Sequence, residues 1–242
     1  MNRFILIAIA FILFGCSTDA EQDDVFILEN SLASKEVVVD NVIACAALNN
    51  NDNKISVFFY PRQGVTNIQY FETENADVDK NDLENYSVVI KPLQNVFNGY
   101  LQKFEVTASE EKWAIVAFDE DGKTHLSNPI RLKQFAKPTE YLPQNISVDN
   151  PTSTPVFTWE DGQYDDTKIY FQVISDAQNN LISGTYTFEK TFQFYNLENV
   201  VLNITKGTPS DLQRNADYGI TLMAVSEDNW VNMIAVKQFT IN

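Results

Sequence analysis

The sequence predicts an all-β protein made of two β-sandwiches in tandem, and three observations carry that expectation. From Val25 onward, short runs of β-branched and aromatic residues are separated by clusters of Asn, Asp, Gly and Pro, without a sustained 3.6-residue apolar period. Two prolines, Pro138 and Pro143, stand near the midpoint of the chain. The roughly 220 residues that follow the first apolar run suit two domains of about 100, each large enough to bury a core.

The chain opens on a targeting pattern. Arg3 is the only charge before position 19, and Phe4 to Phe14 is an unbroken apolar run of eleven residues. That length fits the apolar centre of a secretory signal, about 7–15 residues. A membrane-spanning helix needs about 20 apolar residues, and here Gly15, Cys16 and polar residues come first. Leu13-Phe14-Gly15-Cys16 resembles the bacterial lipobox, with Phe14 standing where that motif usually has a small residue. The resemblance implies removal of residues 1–15 as a signal peptide and lipidation of Cys16, with palmitate among the chains. An ordinary signal peptide with a chance cysteine is the bland alternative. Two or more acyl chains give durable membrane attachment, whereas one gives marginal binding.

Residues 16–24 read as an acidic tether. Asp19, Glu21, Asp23 and Asp24 stand in a stretch whose only apolar residue is Ala20, too little to bury for folding. The tether resembles the export signal of surface lipoproteins of the Bacteroidetes. That implies an outer-membrane protein facing the medium; a periplasm-facing anchor is the alternative.

Residues 25–136 are read as the first sandwich. Strands are expected near 36–39, 42–48, 54–60, 67–72, 86–90, 101–106, 112–119 and 130–135. Ile55, Val57 and Phe59 alternate, as do Trp113, Ile115 and Ala117, and both sets are expected to point inward. Asn49 to Asn53 and Asp121-Gly122 are turn signals. Residues 137–143 read as a stiff, extended linker that strings the domains in line.

Residues 144–242 are read as the second sandwich, with strands near 146–148, 155–159, 168–175, 181–188, 192–195, 200–204, 218–226 and 234–241. Val156-Phe157-Thr158-Trp159 resembles the second strand of a fibronectin type III domain, an Ig-like fold, with its core tryptophan. Leu212, Tyr218, Ile220, Leu222 and Ala224 are similar to that family's tyrosine corner. There the hydroxyl bonds backbone a few residues upstream. The first half departs from the pattern: Glu111 takes the corner tyrosine's place, and its second strand has no tryptophan. An internal repeat matches Ala117 to Gly122 with Ala224 to Asn229, and Lys133-Gln134-Phe135 with Lys237-Gln238-Phe239. The fold hosts many unrelated functions.

Composition narrows those functions. The 33 acidic and 17 basic side chains give a formal charge of −16, which argues against nucleic acid as a partner. Cys45, the second of two cysteines, lies in the apolar run Val42 to Leu48 and is expected to be a small buried hydrophobe. The run Asp77 to Asp82 starts like a calcium loop, but Asp82 stands where a glycine is needed and Val88 where a bidentate glutamate is needed. Glu120-Asp121 and Glu227-Asp228 are read as turn residues, with a paired-carboxylate glycosidase as the open alternative. His125 is expected in an exposed turn. Phosphate loops, GxSxG elbows and CxxC pairs do not occur, so no catalytic residue, cofactor or metal ligand is assigned and the chain is read as a non-enzyme.

Aromatic residues are the remaining lead. Tyr186, Phe188, Phe192 and Phe194 share one strand face and read as core. Trp230, placed in the loop between the last two strands, is either a lid on its own core or, with Tyr164 or Tyr195, a surface that stacks on a sugar or anchors a protein. The expected partners are therefore a membrane through lipid on Cys16, an outer-membrane protein complex, and in the alternative a glycan.

Overall fold

A computed structural model describes residues 26–149 and 152–242. The signal peptide, Cys16 and the acidic tether lie outside the described residues. A five-residue helix, α1 (Leu28–Leu32), precedes ten strands: β1 (Glu36–Val42), β2 (Ala44–Leu48), β3 (Ile55–Phe59), β4 (Thr66–Glu72), β5 (Ser87–Val88), β6 (Gln94–Val96), β7 (Leu101–Val106), β8 (Lys112–Glu120), β9 (Lys123–Ser127) and β10 (Ile130–Leu132). Nine follow: β11 (Glu140–Tyr141), β12 (Ile146–Asp149), β13 (Val156–Trp159), β14 (Thr167–Asp176), β15 (Leu181–Thr187), β16 (Thr191–Gln193), β17 (Val200–Asn203), β18 (Asp217–Ser226) and β19 (Val231–Thr240).

Both halves are sandwiches that share a strand plan except at one edge, where β6 joins the smaller sheet of the first half and β17 the larger sheet of the second. In the first, one sheet runs β1-β9-β8-β4-β5, with β10 also on β8, and the other runs β2-β3-β7-β6. In the second, β11-β19-β18-β14-β15-β17 faces β12-β13-β16. Each half opens with a strand laid parallel to its last hairpin, β1 on β9 and β11 on β19, followed by an antiparallel pair, β2 with β3 and β12 with β13. The fold is all-β, fibronectin type III-like and Ig-like.

The tyrosine corner forms as the sequence suggests. Tyr218 is buried, and its hydroxyl accepts from Gln213 N at 2.9 Å beside buried Leu212. Trp159 stands in the second core with Tyr170. Glu111, in the first half, makes polar contacts instead, accepting from Arg131 and from Ala136 N.

Several expectations need correction. Ile55, Val57 and Phe59 do point into the first core, but on β8 it is Ala114, Val116 and Phe118 that do so. Ile115 and Ala117 face the other way, under Leu28 and Leu32 of α1, with Trp113 packed beside them. Both faces of β8 are covered, so alternation alone could not tell inside from outside. His125 is on β9, only 9% exposed, with Nδ1 2.7 Å from Asn41 Oδ1. Phe188 is exposed, whereas Tyr186, Phe192 and Phe194 are buried. The hairpin parts of the repeat, Ala117 to Gly122 and Ala224 to Asn229, occupy equivalent positions. Lys237 lies within β19 opposite Ile220, whereas Lys133 lies beyond the end of β10.

The segment 137–143 does not string the sandwiches in line. Glu140 and Tyr141 pair with Met233 and Ile234. Thr139 Oγ1 donates to Val231 O (2.8 Å) and accepts from Leu48 N (2.9 Å), while the Tyr141 hydroxyl donates to Leu48 O (2.9 Å). The segment is a seam stitched to both halves.

Candidate binding cleft at the junction of the two sandwiches

The junction is built around the hairpin between β18 and β19. Its turn ends at Asn229, whose φ of 61° suits an asparagine. The next residue, Trp230, is 0% exposed and belongs to the buried cluster of the first sandwich, with Ala46, Ile130 and Leu132. Its Nε1 donates to Lys137 O at 2.7 Å. Ala46 N donates to Asn229 O (3.0 Å) and Arg131 N to Asp228 O (2.9 Å), so the hairpin tip is hydrogen-bonded to β2 and to β10. Lys133 pairs with Asp228, and Lys137 with Asp166. Burial alone would raise the Asp166 carboxyl, but hydrogen bonds from Lys137 and Asn232, with the charges of Lys137 and Lys133, outweigh it and hold the group below the usual range.

A third apolar core joins the halves face to face. Ala47, Phe97 and Leu101 from the first sandwich meet Phe171, Val173 and Met223 from the second. The sheet containing β14 and β18 is thus covered on both faces, which explains why burial runs without alternation from Tyr170 to Ser175 and from Leu222 to Ser226, with even Gln172 fully buried.

One end of this interface opens as a cleft of about 520 Å³. Ile43, Cys45 and Phe58 form one wall, and Ile169, Phe171 and Met223 the other. Burial pushes the Cys45 thiol up to about 12 and raises the neighbouring Tyr186 phenol, so the walls are uncharged at neutral pH. The mouth is polar. There Arg62 lies over the Phe118 ring, donates from Nε to Glu120 Oε2 (2.7 Å) and from a terminal nitrogen to Asn41 O (2.7 Å). The Arg62 hydrogen bond lowers the Glu120 carboxyl, against the smaller effect of burial.

The structure separates the residues singled out as a binding surface. Trp230 is a plug, and the core it closes belongs to the other sandwich. Tyr164 lies under the Lys137 ammonium, 5.0 Å from ring centroid to Nζ. Tyr195 is half-buried against the second core, its hydroxyl accepting from Asn203 Nδ2 at 2.8 Å. No aromatic platform forms from the three. The cleft residues carried only a weak signal in the sequence: Phe58 and Tyr60 are apolar on the strand face that points away from their own core. The Asp77 to Asp82 run is an acidic loop whose carboxylates cap its own backbone, Asp79 accepting from Asn81 N and Asp82 from Glu84 N.

No protein-family model matches the chain, and no curated protein does. Many solved structures are similar to it, among them the following two. The FN1-FN3 domains of chicken CNTN1 share 12% identity, with 86% of this chain and 68% of that one covered, at a TM-score of 0.32. The BSP domain of a biofilm associated protein shares 15% identity, with 84% of this chain covered and 29% of that one, at a TM-score of 0.27. This chain's strand order and tyrosine corner, rather than these scores, carry the fold assignment.

Proposed function

We propose that this chain is a non-enzymatic, lipid-anchored protein of a bacterial outer membrane, exposed at the cell surface, where it serves as an accessory or protein-interaction subunit. The observation that carries the reading is the junction: Trp230 and the shared apolar core pack the two sandwiches against each other, a joint that suits a spacer or docking subunit. The apolar run Phe4 to Phe14 ending at Gly15-Cys16 supports the anchor, and the acidic residues 19–24 support a solvated tether between lipid and body.

Radiolabelled palmitate fed to expressing cells tests the anchor. The chain should take up label and Cys16→Ala should not; an unlabelled parent chain would refute it. Extraction in mild detergent tests the subunit role. A stoichiometric companion should co-purify, and a monodisperse monomer would count against the role. The glycan alternative has lost its motivating residue, because Trp230 has no exposed surface to stack on a sugar.

A further inference from the structure

Strand β2 is the edge of its sheet, and its backbone shows which positions are open. Ile43 O accepts from Tyr60 N (3.0 Å) and Asn49 N donates to Lys54 O (2.8 Å), so odd-numbered positions face β3. Even-numbered positions face away from it. Two are already used: Ala46 N donates to Asn229 O and Leu48 N to Thr139 Oγ1. The chain thus fills this edge with its own β18–β19 turn and its own seam. Ala44 is the next position of the same parity. It lines the cleft, and among the described residues no group outside the β2–β3 ladder bonds its backbone.

The surroundings of Ala44 suit a peptide. The walls are apolar, and three asparagines at the mouth have hydrogen-bonding capacity to spare. Asn41 meets His125 through Oδ1 alone and Asn229 gives Nδ2 to Pro129 O, while the Asn128 side chain has no bonded partner among the described residues. An amide offers both a donor and an acceptor, as a peptide bond does. A volume of 520 Å³ lies within the roughly 300–1,000 Å³ of ligand pockets and admits a short extended segment, not a domain.

We propose that the cleft binds a short, extended, apolar segment of a protein partner, which adds as a strand to the open part of β2 at Ala44. Strand addition draws affinity from main-chain hydrogen bonds and specificity from pockets for alternate side chains. The formal charge of −16 and Asp40 at the mouth favour a segment with basic flanks. This deepens the interaction role proposed above and rests on it. The anchor is not involved, so failure here leaves the palmitate result standing.

The test uses the full chain in phospholipid nanodiscs and three probes: a capped valine/threonine pentapeptide ending in lysine, its backbone N-methylated counterpart, and palmitate. Two readouts are followed, hydrogen exchange at the Ala44 amide and slow alkylation of Cys45 by a large excess of reagent, read by peptide mass. At about 1 mM the pentapeptide should slow both by roughly fivefold or more, and the N-methylated peptide should slow neither. Leu202→Asp, a change at an exposed residue lining the cleft, should abolish the protection, as should Asn128→Ala in part. Unchanged Ala44 exchange with the pentapeptide overturns the proposal. Equal protection by the N-methylated peptide overturns strand addition, and protection of Cys45 by palmitate alone assigns the cleft to an acyl chain instead.

Discussion

Replacing Trp230 with alanine removes the largest fully buried side chain of the described residues, and the core it vacates lies in the sandwich to which it does not belong. Truncating a buried tryptophan costs about 3–5 kcal/mol. Leaving Lys137 O without its 2.7 Å donor adds about 1 kcal/mol more. A loss of about 5 kcal/mol is a third or more of the roughly 5–15 kcal/mol that holds a typical domain folded. Urea denaturation checks it, because Trp113 reports on the first sandwich and Trp159 on the second. With an m-value near 2 kcal/mol/M, the Trp113 transition should fall by roughly 2.5 M. It should then precede the Trp159 transition, whereas in the parent protein the two should coincide. Trp230→Phe should recover most of the loss. A Trp230→Ala midpoint within about 0.5 M of the parent, or a Trp159 transition that comes first, would refute the plug.

Three further outcomes are expected. Tyr218→Phe deletes the bond to Gln213 N and should cost about 1 kcal/mol, read from the Trp159 transition in urea. Gly184→Ala would set a Cβ 2.8 Å from Ile204 Cγ1, a buried side chain at the junction, and should cost about 1–3 kcal/mol by thermal unfolding. The hydrogen bond from Lys103, with help from Gln94 and the charges of Lys103 and Lys54, lowers Glu105 to about 2. A depressed carboxyl stabilises the fold above its ordinary pKa and loses that contribution as pH falls through the folded value. Stability should therefore drop between about pH 5 and 2. Glu105→Gln should flatten that limb by about 1 kcal/mol once solvent screening is allowed for.

Legibility in the sequence followed how much each element depends on its neighbours. Local patterns carried β3, where Ile55, Val57 and Phe59 have one face in a core, and the corner, where Leu212 and Tyr218 are set by contacts within a few residues. Strand β9 was missed because Leu126 is its one apolar residue; pairing with β8 and β1 forms it. Strand β11 is two residues long and exists only because β19 lies beside it. The faces of β8 could not be told apart because α1 buries the second one. Trp230 looked like a loop residue because Asp228-Asn229 is a turn, and nothing local says that the turn enters another domain. The cleft was invisible for the same reason: its walls are the outer faces of two sheets, and no run of residues records that those faces meet.

The plug also sets an order of events during synthesis. The first sandwich is complete in strands by Leu132, yet its interior lacks its largest side chain until a residue nearly a hundred positions later is made. At bacterial-type elongation rates of about 5–20 residues per second, that is a delay of roughly 5–20 s. For that interval the leading half carries an open apolar slot and an unguarded strand margin, the kind of surface that invites chaperones or mispairing. The two repeats are therefore not interchangeable beads: a leading half cut free of its trailing hairpin would be a vessel without its stopper.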